Sequence, residues 1–259
     1  MSGSLEMVFW EVLFAAALFG AAVTAAAWAQ WRGFRGATAV LLGAAAPALF
    51  LLILMVGFKG PDGQLYYHQV RADATAFFQS QSELLVKSGN IPAERVESSR
   101  KFLEKFYVEL LPGWMASTCL LLGWMAFSVS GRVLSRVSKQ IPPPEPFRNF
   151  NLPEPLVFGL IAAIGLLAVA PQFDAHDTLK VWGGCLAVTF GTLYFMAGLA
   201  VTSYFFWKWK LNPFLCVLLY LAIFLTPSSV PAMGVLGVLD LWVDFRKLKT
   251  KPVRDESGS

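Results

Sequence analysis

Apolar residues in this chain arrive in long blocks separated by short polar joints. The first block runs from about Met7 to Ala29, is rich in alanine, and is interrupted only by Glu11 and Thr24 before it closes on Gln30-Trp31-Arg32-Gly33-Phe34-Arg35. The second, from about Gly36 to Phe58, carries Pro47 at mid-length. A membrane helix tolerates such a proline when neighbours satisfy the freed carbonyl. Later blocks run from Leu110 to about Val129, Leu156 to Ala170, Leu179 to Trp207, Pro213 to Leu225 and Ala232 to Val243. A helix of about 20 apolar residues covers the roughly 30 Å of a bilayer core, and several blocks reach or approach that length. The predicted fold class is an all-α polytopic transmembrane bundle of about seven spans, forming one integral membrane domain over residues 1–259.

The last two blocks are short for a span. They either both cross, with tilt or bilayer thinning covering the mismatch, or form a re-entrant pair meeting at Thr226-Pro227-Ser228-Ser229-Val230-Pro231. Crossing is the favoured reading, because residues of the break extend both lengths.

One long polar segment, 59–108, interrupts this pattern. Its apolar residues fall at Val70, Ala74, Phe77 and Leu84, then at Val96, Leu103, Phe106 and Leu110, which is helical spacing. Gly89-Asn90-Ile91-Pro92 divides the halves with a stop and a first-turn residue. The segment reads as an amphipathic helical hairpin that lies on the membrane or caps the bundle. A second interruption, 137–155, is dense in proline (Ile141-Pro-Pro-Pro-Glu-Pro146, then Pro153 and Pro155) and must be extended. Such strings dock on aromatic grooves in some proteins, and more often serve as stiff crossovers.

Composition agrees with the blocks: 56% of residues are hydrophobic and 15% charged. That is more apolar surface than one soluble core needs. The net charge of +4 is therefore no nucleic-acid signal; what matters is where the cations fall. In the seven-span arrangement Arg32, Arg35, Arg132, Arg136, Lys139, Arg148, Lys208, Lys210 and the basic-then-polar tail 246–259 share one side. The positive-inside rule makes that side cytoplasmic, and hairpin 59–108 with the N-terminus extracytoplasmic. No signal peptide is read at the N-terminus, since Met1–Glu6 lacks a basic region and the apolar run is too long. The expected location is a bacterial inner membrane, with the lipid bilayer as first partner.

Cys119, Cys185 and Cys216 each sit inside a different apolar block, far from His68 and His176, and read as small hydrophobes. Neither HExxH nor paired CxxC spacing occurs, so no metal or cofactor is expected. GxSxG and GxxxxGK are also missing, which leaves little support for an enzyme.

The candidate chemistry lies near the C-terminus. Asp240 and Asp244, one helical turn apart in sequence, end an apolar block with Arg246 just beyond. Charge beside hydrocarbon is costly, and two roles fit it. One is a cation, proton or headgroup site facing the bundle interior. The other is an interfacial ion-pair lock holding the helix end against the basic stretch Arg132–Arg148, which placement within about a turn of the interface favours. Glu11 and Glu109 read as solvated carboxylates. Small residues (Ala15, Gly20, Ala21 and Ala25 in the first block; Gly183, Gly184, Gly191 and Gly198 in the fifth) permit close helix approach. Where glycines line a cavity instead, Gly234 and Gly237 beside Asp240, with Gly198, are the expected place.

Several of these features occur together in one order. Leu110-Leu-Pro112, Pro144-Glu-Pro146-Phe147, Phe150-Asn-Leu-Pro153, Leu156-Val157, Gly198-Leu-Ala-Val201 with Phe205, and Gly237-Val-Leu-Asp240-Leu-Trp242-Val-Asp244-Phe245-Arg246 resemble the YybS-like family of multi-pass bacterial membrane proteins over roughly residues 105–248. The resemblance implies more hydrophobic segments ahead of the part matching residues 7–58 than this chain shows, which leaves open both the count of seven spans and whether the N-terminal half is shortened or divergent. The resemblance brings no catalytic residues. It implies a distant similarity to the substrate-binding membrane components of energy-coupling-factor vitamin transporters, and marks Asp240, Asp244 and Arg246 as its signature. The expected function is binding or transport of a small molecule or lipid within the bundle. The alternative is a non-transporting assembly protein that docks a membrane protein partner through the hairpin and the proline segment.

Overall fold

A computed structural model describes residues 2–34, 36–59, 64–87, 92–137, 145–173, 176–226 and 228–246. Among them the regular structure is helical, apart from one isolated bridge between Lys59 and Leu65. The helices are α1 (Ser2–Trp31), α2 (Gly36–Gly57), α3 (Tyr66–Lys87), α4 (Ala93–Leu103), α5 (Leu111–Val137), α6 (Leu156–Val169), α7 (His176–Lys208), α8 (Pro213–Leu225) and α9 (Ser229–Val243). Four stretches, Leu13–Trp31, Gly36–Gly57, Leu111–Val137 and Asp177–Lys208, are long and apolar enough to cross a membrane. Helices α8 and α9 reach that standard only together, and they are bent by 110° at their break, which gives four to five candidate spans among the described residues. At about 1.5 Å per residue, α8 and α9 taken singly fall well short of a bilayer core.

The chain divides into two compact units, one of 1–144 with 162–189 and one of 145–161 with 190–259. In the first, α1, α2 and α5 pack against one another, and small residues let their backbones approach. A methyl group placed on Gly123 would stand 2.6 Å from both the Ala44 nitrogen and the Val40 oxygen, and one on Gly43 would stand 3.1 Å from Ala26 Cβ. The packing stripe of α1 is Ala22, Ala26 and Ala29, each fully buried. Ala15 and Gly20 face outward, and Ala21 and Ala25 are half-buried. The buried stripe is therefore displaced from the expected one, because an alanine-rich helix offers similar small residues on every side. Gln30 ends the stripe by donating to the Phe127 carbonyl (3.0 Å) and Ser130 Oγ (2.8 Å) on α5, the kind of interhelical polar contact that stabilises membrane bundles. The first part of α7 meets α5 through Gly113, whose added methyl would lie 2.8 Å from the Cys185 backbone.

Pro47 is buried inside α2 without ending it. Within 59–108 the described residues form two helices in contact, α3 and α4, and α4 passes through a π-helical turn, Glu104–Glu109, and the single residue Leu110 into α5. Gly89, Asn90 and Ile91, Lys139 and Ile141–Pro144, and the tail after Arg246 lie outside the described residues, as do the side chains of Glu11 and His176. Helix α9 begins at Ser229, earlier than its apolar pattern indicates. Pro231 falls in its first turn, where no intrahelical N–H is required, and Ser229 Oγ donates to the Thr226 carbonyl (2.6 Å) and to that of Ile223.

Candidate functional site

All elements of the candidate site belong to the second unit. Helix α9 ends at Val243, and Asp244 takes the left-handed conformation (φ 47°, ψ 56°) while its N–H donates to the Asp240 carbonyl at 3.0 Å. Short polar residues accept this conformation more readily than most. The reversal has a direct chemical result. It returns Arg246 to the helix it has just left, where its Nε and Nη2 donate to Asp240 Oδ2 at 3.0 and 2.5 Å. Asp240 and Asp244 thus do not share a helical face as their spacing predicts, because the helix stops between them.

The pair is deeply placed, Asp240 being 6% exposed and Arg246 3%. Arg246 Nη1 donates to the carbonyls of Arg148 (2.9 Å), inside a 3-10 turn at Phe147–Asn149 that interrupts the expected extended run, and of Phe150 (2.8 Å), in the extended backbone after it. Arg148 in turn sets its guanidinium 4.4 Å from the ring centre of Trp207, near the end of α7. Phe150 and Leu152 are buried. One arginine therefore ties α9 to the crossover segment, and the neighbouring arginine ties that segment to α7. Sequence reasoning reached the lock against a basic segment, but not its atoms: Arg246 grips main-chain carbonyls, and the cation of Arg148 is turned onto an indole. Trp207, Phe150 and Tyr194 were not among the candidate site residues: Trp207 and Tyr194 lie in an apolar block where aromatics are common, and Phe150 stood out only in the motif Phe150-Asn-Leu-Pro153.

Two of the three candidate glycines lie where helices touch. A methyl on Gly237 would collide with the Tyr194 carbonyl and lie 2.8 Å from the Gly198 nitrogen, and one on Gly198 would collide with the Met233 carbonyl. Thr202 Oγ1, donating to the Gly198 carbonyl at 3.0 Å and 3.4 Å from Met233 Sδ, reinforces that junction. Gly234 differs, having open space where a methyl would go.

Two buried oxygens of this unit have no hydrogen-bond partner among the described residues: Asp240 Oδ1 and the hydroxyl of Tyr194, a residue 1% exposed. No group of three or more His, Cys, Asp or Glu suited to a metal ion occurs among the described residues.

A family model described as "Predicted membrane protein (DUF2232)" matches residues 5–241. The chain belongs to that family. The match covers α1 and α2 as well as the C-terminal half, so it extends further back than the region 105–248 that carries the sequence resemblance. Neither the curated proteins nor the solved structures include a match to this chain. The apolar helices and the family together make this DUF2232 member a membrane protein.

Proposed function

We propose that this protein binds or transports a small molecule or lipid within its helix bundle, and that Asp240 is the group the ligand meets. The observation that carries the reading is the division of labour on one buried carboxylate. Oδ2 takes both donors of Arg246, and Oδ1 takes none. A buried polar atom without a partner costs about 1–3 kcal/mol, so a ligand offering an ammonium, hydroxyl or amide donor recovers that cost on binding. The Tyr194 hydroxyl, equally buried, is a second group able to donate or accept. Gly198 and Gly237 take part by letting helices meet, and Gly234 and Asp244 flank Asp240 on either side.

The reading carries a topology with it: seven crossings in a bacterial inner membrane, hairpin 59–108 extracytoplasmic, C-terminus cytoplasmic. Lys/Arg placement supports the orientation. If α8 and α9 both cross, Ser228→Cys reacts with an impermeant maleimide from outside the cell; if they form one broken or re-entrant span, it does not.

The alternative is a non-transporting assembly protein docking partners through the hairpin and the Pro-rich segment. Exposed Phe77, Leu84 and Phe102 on the hairpin favour it. The contacts of Arg148, Phe150 and Leu152 speak against the described part of the proline segment as a free docking string.

Native mass spectrometry of the gently extracted protein separates the two. A reproducible small ligand, lost in a folded Asp240→Asn variant, supports the binding reading and names its class. A stoichiometric protein partner with no ligand replaces it with the assembly reading.

A further inference from the structure

The hairpin presents an apolar stripe that its own packing leaves uncovered. On α3, Tyr66, Phe77 and Leu84 recur at helical spacing, with exposed Asp73 on the same face between the first two, and with Phe77 58% and Leu84 60% exposed; on α4, Phe102 is 66% exposed. The side of α3 facing the π-helical turn is used internally, Phe78 stacking on Tyr107 at 6.0 Å. Gln79, Glu83 and Lys87, exposed as well, fall on another side of α3.

Both ends of the hairpin are fixed at the ends of membrane-length helices. Tyr66 N–H donates to the Phe58 carbonyl at 3.0 Å, and the Lys59–Leu65 bridge closes the joint to α2. At the other end the π-helical turn runs into α5 through the single residue Leu110. That joint is packed with aromatics: Phe106 and Tyr107 lie 5.3 and 5.4 Å from Trp114, whose Nε1 donates to the Phe106 carbonyl. Tyr and Trp collect at the depth of lipid headgroups. A helix of 22 residues is about 33 Å long. Standing upright from that depth, it would carry Leu84 far into water; lying flat, it keeps the whole stripe at the boundary.

We propose that the α3–α4 hairpin is an interfacial element whose stripe of Tyr66, Phe77 and Leu84, with Phe102, is covered by the lipid surface, inserted at the headgroup–acyl boundary. Amphipathic helices with an aromatic and aliphatic face hold this position through buried apolar area. Over 64–109 six basic and six acidic residues balance, and Arg100 pairs with Glu97 at 2.7 Å and with Glu104 at 2.5 Å, so the hairpin's hold on lipid is apolar and needs no anionic headgroup. The inference is independent of any ligand at Asp240.

The test uses the full, unsubstituted chain in phosphatidylcholine vesicles doped with a phosphatidylcholine bearing a diazirine near its headgroup. After illumination, peptide mass spectrometry is expected to find several-fold more lipid adduct on Phe77, Leu84 and Phe102 than on Gln79 and Glu83, with hydroxyl-radical oxidation showing the reverse. Oxidation of the stripe without lipid adducts would overturn the proposal and place the hairpin in water. A stripe protected from both reagents would also overturn it, in favour of a protein or a second copy covering that face.

Discussion

Arg246 and Asp240 form a buried ion pair six residues apart in sequence, the guanidinium donating twice to one carboxylate oxygen and, from its third nitrogen, to two main-chain carbonyls. The pair and the carbonyls are matched to each other, so single and double substitutions should behave differently. Removing one partner of a buried pair typically costs about 3–5 kcal/mol, whereas replacing both by apolar residues of similar size is often nearly neutral. Arg246→Ala should therefore lower the thermal midpoint in detergent sharply. Asp240→Leu with Arg246→Met should recover part of the loss but not all of it, because the carbonyls of Arg148 and Phe150 lose their donor. A double variant no better than Arg246→Ala would show that the carbonyl contacts, and not the ion pair, are the stabilising part.

The glycines of α7 and α9 separate by position. Gly198→Ala and Gly237→Ala push a methyl into backbone that cannot give way as a side chain would, and overpacking of this kind costs about 1–3 kcal/mol. Gly234→Ala meets nothing, and by removing glycine from a helix interior it should be neutral or stabilise by up to about 1 kcal/mol. Thermal unfolding of the three purified variants checks this order. If Gly234→Ala proved as damaging as the other two, the α7–α9 contact described above would be misplaced.

How much of this was legible in the sequence depends on which force set each feature. Helix positions followed from apolar block length, because burial in lipid leaves the backbone little choice but helix. Ends were harder: α9 starts inside a Ser-Pro break, and α5 continues to Val137, past Arg132 and Arg136, because long basic side chains reach the interface from inside a helix. Asp240 and Arg246 stood out in the sequence because charge is scarce there. Their geometry did not, since it turns on one left-handed residue at 244, and a helical wheel carries Asp240 and Asp244 along together as though the helix went on. Gly198 carried two readings, close helix approach and a cavity wall, and Gly237 only the second, because a glycine that admits a helix and one that lines a cavity look alike until the neighbouring backbone is known.

That left-handed residue makes its own prediction. Asp244→Gly should keep the reversal, since glycine adopts φ near 47° without strain. Asp244→Val should oppose it, a β-branched residue at positive φ being strongly disfavoured, and should release Arg246 from Asp240 at a cost of about 1–3 kcal/mol for the strained backbone alone. The readout is the thermal midpoint measured beside Arg246→Ala. If Asp244→Val destabilises by way of Arg246, combining the two changes should add little to either one.

The hairpin should respond to acid through Glu97. The side-chain hydrogen bond from Arg100 holds the Glu97 carboxyl below the usual carboxylate range, and the same bond raises Arg100 above its ordinary value. Because the folded-state value of Glu97 is depressed, its contribution to α4 is fully present above the unfolded value of about 4.5 and is lost as pH falls through the lower folded value. Arg100 stays protonated across this range, so the change belongs to the carboxylate. Both groups are solvent-accessible, so the loss should be confined to α4 and weakened by salt. Carboxyl-detected NMR titration of the protein in nanodiscs should show Glu97 titrating below a water-exposed glutamate, and Arg100→Gln should move it back up. A Glu97 titration unmoved by Arg100→Gln would mean that the Glu97–Arg100 contact does not persist in solution, and with it would go the charge pairing that leaves apolar area as the hairpin's hold on lipid.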